Sequence, residues 1–425
     1  MIKIKFLKEV LSTRTVRQSF ITSTATLTNG ILGIFFYILL GRFLGPEKFG
    51  IFSVVVMTAT MLADITNVGT DTGIIKFVSK YRKENLEKAL RFIKLGLEIK
   101  VLAGLMVFAF GWFLSPSISY LLEKPELAYP LRYAFLGTLG ILLFSLTTNA
   151  IQAFEKFAVW GVLNICLNAI RLIGIVILFF LGNLNTESSL QIYVLFPFIG
   201  FIVGSFFLPN YLKVERGHEV AKEFMHYNKW VALFILIAAI SGRLDTYLSA
   251  KILTLREVGI YSAAVSLAAV GSQIVAGIAT VVAPKLAAFD SKKKVIKYLN
   301  KLQVFVVILG LVEIVIGIPL AYLVIPNFFG SEFAQAVKPF IVLLIAQAVF
   351  LISIPAHTAV FYYFSKPSLF IWISLVHLLI IGGLGWILIS RFGYMGASVT
   401  VLVGNLSNFV IPAIWVLSRF KKIKQ

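Results

Sequence analysis

The sequence predicts an all-α integral membrane protein, with twelve transmembrane helices in two pseudo-symmetric six-helix bundles around a central cavity. Three observations lead there. Of 425 residues, 59% are hydrophobic and 14% charged, too few charged side chains to cover a soluble surface of that size. Apolar runs of about 20 residues, the length that crosses a bilayer core as a helix, recur from end to end. One motif also appears twice: "GPEKFGIFS" from Gly45 to Ser53 and "TLREVGIYS" from Thr254 to Ser262, 209 residues apart and so about half the chain.

The elements follow in chain order. "MIKIKFLKEVLSTRTVRQ" is a basic, amphipathic lead-in and not a cleavable signal, because the apolar stretch behind it is long enough to stay in the membrane. The first six spans are predicted at 19–41, 49–71, 94–115, 131–153, 158–181 and 190–212. The second six are predicted at 229–250, 259–282, 303–325, 337–361, 368–390 and 394–417. The first span starts polar, "SFITSTATLTNG", and Lys94, Glu98 and Lys100 crowd the start of the third. The longest polar connections, around 76–93, 115–130, 213–228 and 284–302, are too short to fold a catalytic domain, which argues against an enzyme. The single cysteine, Cys166, lies in an apolar run and reads as a small packing residue. It excludes a disulfide framework and a cysteine-based metal site, and no cofactor is expected.

A net charge of +20 would suit a nucleic-acid partner, but the placement of the charges decides otherwise. With the N-terminus inside, the outward turns hold Arg42, Lys48, Lys124, Arg132, Lys251, Arg256, Lys338 and Arg391. Arg171 and Arg243 fall within spans, and the rest of the 39 basic residues lie inward. That asymmetry puts both termini in the cytoplasm of a cell-membrane protein. The partner of the basic side is then anionic membrane lipid, not nucleic acid.

The offset of 209 lays Phe49-Gly50-Ile51-Phe52-Ser53 over Val258-Gly259-Ile260-Tyr261-Ser262. It also lays Arg42 on Lys251, Gly33 on Gly242, Lys76 on Lys285 and Asn168 on His377. The register is that of a duplication, with bundles over 1–212 and 213–425. Six spans per half give both halves one orientation, a plan on which halves rock about a central cleft. The repeated glycine reads locally as permission for a tight helix start.

Ionisable groups at bilayer depth cost roughly 2.5–3.5 kcal/mol each on insertion scales and usually face a cavity. In the second span Thr60, Asp64, Asn67 and Asp71 recur at helical spacing, as do Asn164, Asn168 and Arg171 in the fifth. The seventh carries Arg243, Asp245 and Tyr247. Arg243 and Asp245 stand about 200° apart on a helix, so each is expected to meet another helix. Two readings stand side by side. One is an ion-pair web, for instance Asp64 with Arg243 or Arg171. The other is a cationic centre for an anionic substrate, with Asp64, Asp71 and Asp245 as a cation or proton site. Glu313, His357 and His377 suit helix-packing hydrogen bonds. Thr22, Thr26 and Asn29 line one face of the first span and could serve a sugar headgroup.

"GRFLGPEKFGIFS", "DITNVGTDTGIIKFVSKYRKENLEKALRFIKLGLEIK" and "SGRLDTYLSAKILTLREVGIYSAAVSL" resemble the O-antigen (Wzx-type) polysaccharide-export flippases. Those belong to the multidrug/oligosaccharidyl-lipid/polysaccharide transporter superfamily, and the likeness runs through the whole chain. The resemblance implies two six-helix bundles around a cavity; separately, a monomer is expected. It implies flipping of a polyprenyl-pyrophosphate oligosaccharide from the cytoplasmic to the outer leaflet. It puts the phosphate-bearing headgroup on basic residues of the cavity, here Arg243 first, then Arg42 and Lys251 near the outer ends; Arg171, Asn168 and Asn29 are the further substrate-binding candidates from the polar faces. Lipid II flippases have arginines where this chain has Gly30 and Phe36, and usually fourteen spans, which counts against lipid II. Drug-extruding relatives share twelve spans and intramembrane acidic sites, so a cation-coupled multidrug exporter is the alternative.

Overall fold

The computed structural model describes residues 14–287, 291–366 and 368–422. The lead-in over 1–13 and the side chain of Lys285 lie outside the described residues. All regular structure among the described residues is helical. In order these are α1 (Arg14–Thr66), α2 (Thr70–Tyr81), α3 (Leu86–Leu121), α4 (Pro130–Ala153), α5 (Phe157–Phe180), α6 (Thr186–Ser205) and α7 (His218–Ser241). There follow α8 (Leu244–Ile252), α9 (Leu255–Ala287), α10 (Lys292–Val324), α11 (Val337–Ile352), α12 (Ile354–Thr358), α13 (Leu369–Leu379) and α14 (Gly385–Lys422).

Among the described residues, eight helical stretches are long and apolar enough to cross a membrane, as an all-α multi-pass membrane protein requires. They do not match the twelve expected spans one for one. Two run 46 and 54 residues, Ile21–Thr66 and Leu369–Lys422, and each folds back on itself. At Gly45 the backbone takes φ 73° and ψ 169°. The rings of Tyr37 and Phe49 then meet at 6.5 Å, where twelve residues of straight helix would part them by about 18 Å. At Gly393 φ is 61°, and a Cβ on Gly396 would lie 2.0 Å from the Leu388 carbonyl oxygen. Glycine takes such positive φ without strain.

Four predicted spans are interrupted. The span at 49–71 breaks where Val68 and Gly69 take φ of 47° and 73°, so the face of Thr60, Asp64, Asn67 and Asp71 is not continuous. The span at 229–250 breaks at Arg243, which caps α8 with φ −129° and ψ −6°. The angle of 200° between Arg243 and Asp245 therefore does not apply. The spans at 337–361 and 368–390 pass into π-helical turns at Ala359–Tyr363 and Ile380–Leu384. Averaged hydropathy registers immersion in lipid and is blind to a break of one or two residues. Cys166 is exposed, not packed: it lies on an outer face of α5, where a small apolar residue suits lipid as well as a core.

The chain forms two compact units, Met1–Phe36 with Val55–Leu236, and Tyr37–Val54 with Ile237–Gln425. In the first, Phe77 of α2 stacks on Phe92 of α3 at 4.5 Å, and Phe224 of α7 closes the cluster at 6.0 Å from Phe92. Beside it the Tyr81 hydroxyl donates to Glu223 Oε1 at 2.9 Å, and Lys88 Nζ lies 3.0 Å from Oε2. Burial pushes the Glu223 carboxyl up, but the hydrogen bonds from Lys88 and Tyr81 overcome it and hold it below its ordinary value.

In the second unit the two copies of the repeated motif pack on each other. A Cβ on Gly50 would lie 1.9 Å from the Leu255 carbonyl oxygen, and one on Gly259 1.8 Å from that of Pro46. Pro46 and Leu255, like Gly50 and Gly259, are related by the offset of 209, so the contact is reciprocal. The glycine thus serves backbone-to-backbone helix contact and not merely a tight helix start. Phe49 is fully buried there against Phe333 at 5.9 Å and Phe329 at 6.3 Å. Arg42 donates to the carbonyls of Asn327 and Phe328 at 2.5 and 3.3 Å. These contacts are why Tyr37–Val54 groups with the later helices.

Candidate functional site

Three of the residues expected to hold substrate converge in the first unit. Helix α6 contains Pro197, which has no N–H to give to the Tyr193 carbonyl four residues earlier. The Arg171 guanidinium of α5 supplies that donor at 3.0 Å and lies over the Tyr193 ring at 4.5 Å. It also reaches Asn168 Oδ1 at 3.5 Å, and the Asn168 amide donates onward to Asn29 Oδ1 on α1. Arg171, Asn168, Tyr193 and Asn29 are all half-buried, so this polar chain across α6, α5 and α1 keeps an accessible side. Asn164 stays out of it, donating to the Trp160 carbonyl of its own helix at 2.8 Å.

A second cluster in the same unit contains a cation that reading for intramembrane charge passes over. Lys100 of α3 is fully buried; its Nζ lies 2.5 Å from Asp71 Oδ1 and 2.5 Å from Ser145 Oγ of α4. Asn67 donates to the other Asp71 oxygen at 2.8 Å, across the break between α1 and α2. Asp71 is therefore partnered by a lysine. A signal was present in the sequence: Gly96, Lys100 and Gly104 share one face of α3. A Cβ at those glycines would lie 2.7 Å from Ile74 and 2.5 Å from Leu139, so the face is close-packed and turns the lysine inward. Asp64 is exposed on the last turns of α1.

In the second unit Asp245 is buried and accepts from the Tyr261 hydroxyl of α9 at 2.6 Å, the partner on another helix that was expected. Arg243 and Lys251 stand half-buried at the two ends of α8. His357 Nε2 donates to the Asn408 carbonyl at 2.7 Å, between the rings of Phe350 and Phe370. That carbonyl lost its helical donor to Pro412, so His357 does for α14 what Arg171 does for α6. The Glu313 carboxyl of α10 lies 2.7 Å from the point a Gly271 Cβ would occupy, with the Gln347 side chain of α11 against the same point at 3.0 Å. Gln347 Oε1 accepts from Ser272 at 3.1 Å. His377 packs onto Gly404, its Nε2 2.8 Å from the Cβ position.

Comparison with known proteins gives these clusters a family. The model of the family described as "Polysaccharide biosynthesis protein" matches residues 15–290. A candidate O-antigen transporter of Shigella flexneri is 22% identical over 309 residues, 69% of this chain and 72% of that protein. Among solved structures, an inward-facing multidrug-resistance MATE transporter of the MOP superfamily superposes with a TM-score of 0.78 at 11% identity. That match covers 95% of this chain and 98% of the other. The lipid II flippase MurJ, in an inward closed conformation, gives 0.76 at 15% identity over 95% and 89%. These structural likenesses speak to the fold, and the family match speaks to descent. The chain belongs to the polysaccharide biosynthesis protein family and is a non-enzymatic membrane transporter of the multidrug/oligosaccharidyl-lipid/polysaccharide (MOP) superfamily.

Proposed function

We propose that the protein is an alternating-access flippase. It moves polyprenyl-pyrophosphate-linked oligosaccharide from the cytoplasmic to the outer leaflet for cell-surface polysaccharide assembly. The observation that carries the reading is the chain Tyr193–Arg171–Asn168–Asn29, a guanidinium flanked by amides on a half-buried intramembrane face. A guanidinium keeps its charge whatever it bonds and matches phosphate bidentately, while amides suit sugar hydroxyls. Arg243, with Lys251 and Arg42, is the second unit's contribution in this scheme. Twelve crossings are reached by counting two in each fold-back stretch and adding α7–α8 and α9 to the eight apolar stretches. On this scheme the bundles over 1–212 and 213–425 rock with both termini in the cytoplasm.

The test is headgroup translocation in proteoliposomes loaded with defined lipid-linked sugars. Arg171→Gln should slow translocation by about 10- to 100-fold, the size of a lost charge-assisted hydrogen bond. Arg243→Ala should act similarly, with insertion unchanged. Wild-type rates in both variants would sink the reading.

A second reading, a cation-coupled exporter of amphiphilic drugs, is favoured by the Glu313 carboxyl set among apolar helices beside Gln347 and Ser272. Asp64, Asp71 and Asp245 are its other acidic candidates. It predicts drug efflux that collapses with the ion gradient and in Glu313→Gln. Sugar translocation indifferent to both would leave it without support.

A further inference from the structure

The second unit contains a cavity of about 340 Å³ that the transport scheme does not use. Its walls are the first turns of α10, the last turns of α14, and α12 between them, with Asn300, Gln303, Pro355, Phe409, Val416 and Phe420 among the lining residues. The lining is apolar apart from the two amides, and Gln303 is committed to the Ile352 carbonyl at 3.2 Å. Phe420 closes one end against Phe364 at 5.0 Å and Tyr363 at 5.8 Å. Its volume sits at the small end of ligand pockets, the size of part of a hydrocarbon chain and not of a bulky solute.

Among the described residues, the charges on the rim are basic. Ile296, Asn300 and Gln303 recur at helical spacing, and one turn earlier the same face of α10 presents Lys293. On α14, Ala413 and Leu417 line the cavity, and four residues on the same face presents Lys421. Both lysines are exposed, as are Lys297, Lys301 and Lys422 on the same two helices. No Asp or Glu occurs in α14 or in α10 before Glu313. The first backbone N–H groups of α10 add to this, since Ser291 makes no side-chain cap there. An apolar slot whose mouth, among the described residues, is basic complements a lipid with a hydrocarbon chain and an anionic headgroup.

We propose that this cavity is a binding site for an anionic glycerophospholipid of the basic, cytoplasmic side. One acyl chain enters between α10 and α14, and the phosphodiester rests between Lys293 and Lys421, with the Asn300 amide at the mouth. The site lies within one unit and stands independently of the identity of the transported cargo.

The experiment is native mass spectrometry of the purified full chain with dioleoyl phosphatidylglycerol and dioleoyl phosphatidylcholine, which share acyl chains and differ in headgroup charge. The wild type should retain phosphatidylglycerol in about 30-fold preference, at about 1 kcal/mol for each of the two lysines. Lys293→Gln with Lys421→Gln should reduce that preference by about 30-fold, as expected for two surface cations near an anionic lipid. Ala413→Trp, which fills the slot, should lower binding of both lipids while the melting temperature holds. Equal retention of the two lipids by the wild type would overturn the proposal. So would undiminished preference in the double lysine variant, which would assign the effect to the diffuse field of the basic side. Displacement of bound phosphatidylglycerol by an equimolar C55 polyprenyl phosphate would overturn it too, giving the slot to the tail of a cargo.

Discussion

Two of the carbonyls that lose a helical donor to an internal proline are those of Tyr193, before Pro197 in the first unit, and of Asn408, before Pro412 in the second. Each receives a side-chain donor from another helix. The two repairs differ in what they leave over. In the second unit a neutral-capable imidazole gives one N–H and is boxed by Phe350 and Phe370, so His357 is spent on structure. In the first unit the donor is a guanidinium that also reaches Asn168 and stays half-exposed, so one residue mends the helix and places a fixed charge at an accessible intramembrane face. The same backbone problem is solved once by a closed neutral device and once by an open charged one. Only the second kind can also recognise an anion.

The carboxylates of Asp71, partly buried, and Asp245, buried, repeat the contrast, and here the largest effect is expected. Asp71 neutralises a fully buried lysine, whereas Asp245 is held by the Tyr261 and Thr246 hydroxyls. Removing one partner of a buried ion pair strands the other charge, at about 3–5 kcal/mol. Asp71→Asn should therefore lower stability by that amount in a chemical-denaturation assay in detergent. Asp71→Leu with Lys100→Met should recover most of it. Asp245→Asn, which loses a hydrogen bond and only the electrostatic attraction of the half-buried Arg243, should cost about 1 kcal/mol. Equal losses for Asp71→Asn and Asp245→Asn would erase the distinction between the units.

Arg171 comes next, because its two duties can be separated. Arg171→Gln should cost about 1–3 kcal/mol through the unsatisfied Tyr193 carbonyl, besides slowing transport. Adding Pro197→Ala restores a backbone N–H at the right place. Stability should then return while translocation stays slow. Recovery of both together would make Arg171 purely structural and leave the first unit no different from the second.

The helical, membrane-embedded character was legible because it rests on composition and run length, which averaging over 20 residues captures. So was the offset of 209, although not the backbone contact that its glycines make. A glycine in a motif announces space but not what fills it, and only three-dimensional packing shows Gly50 and Gly259 pressed on each other's backbones. The convergence of Asn29, Asn168 and Arg171 followed from polar residues recurring on helical faces. Lys100 was missed because it sits near two other charges at the head of a predicted span, where lysine ordinarily reaches for water. The breaks at Val68–Gly69 and Arg243 were missed because each involves too few residues to disturb mean hydropathy. Counting back four residues from each proline finds the orphaned carbonyls in the sequence, but that Arg171 and His357 supply the missing donors shows only in the structure.

His357 gives the smallest effect and the sharpest control. His357→Leu keeps the apolar contacts with Phe350 and Phe370 but leaves the Asn408 carbonyl without its donor, at about 1–2 kcal/mol. Pro412→Ala in the same chain lets α14 supply its own N–H and should return about 1 kcal/mol of that loss. Neither variant should change the rate of headgroup translocation by more than about twofold once scaled to folded protein, because no charge at an accessible face has been altered. If His357→Leu instead abolishes transport while Pro412→Ala restores stability alone, the histidine belongs with Arg171 among the residues that meet cargo. The aromatic box would then be an occupied gate and not a closed joint.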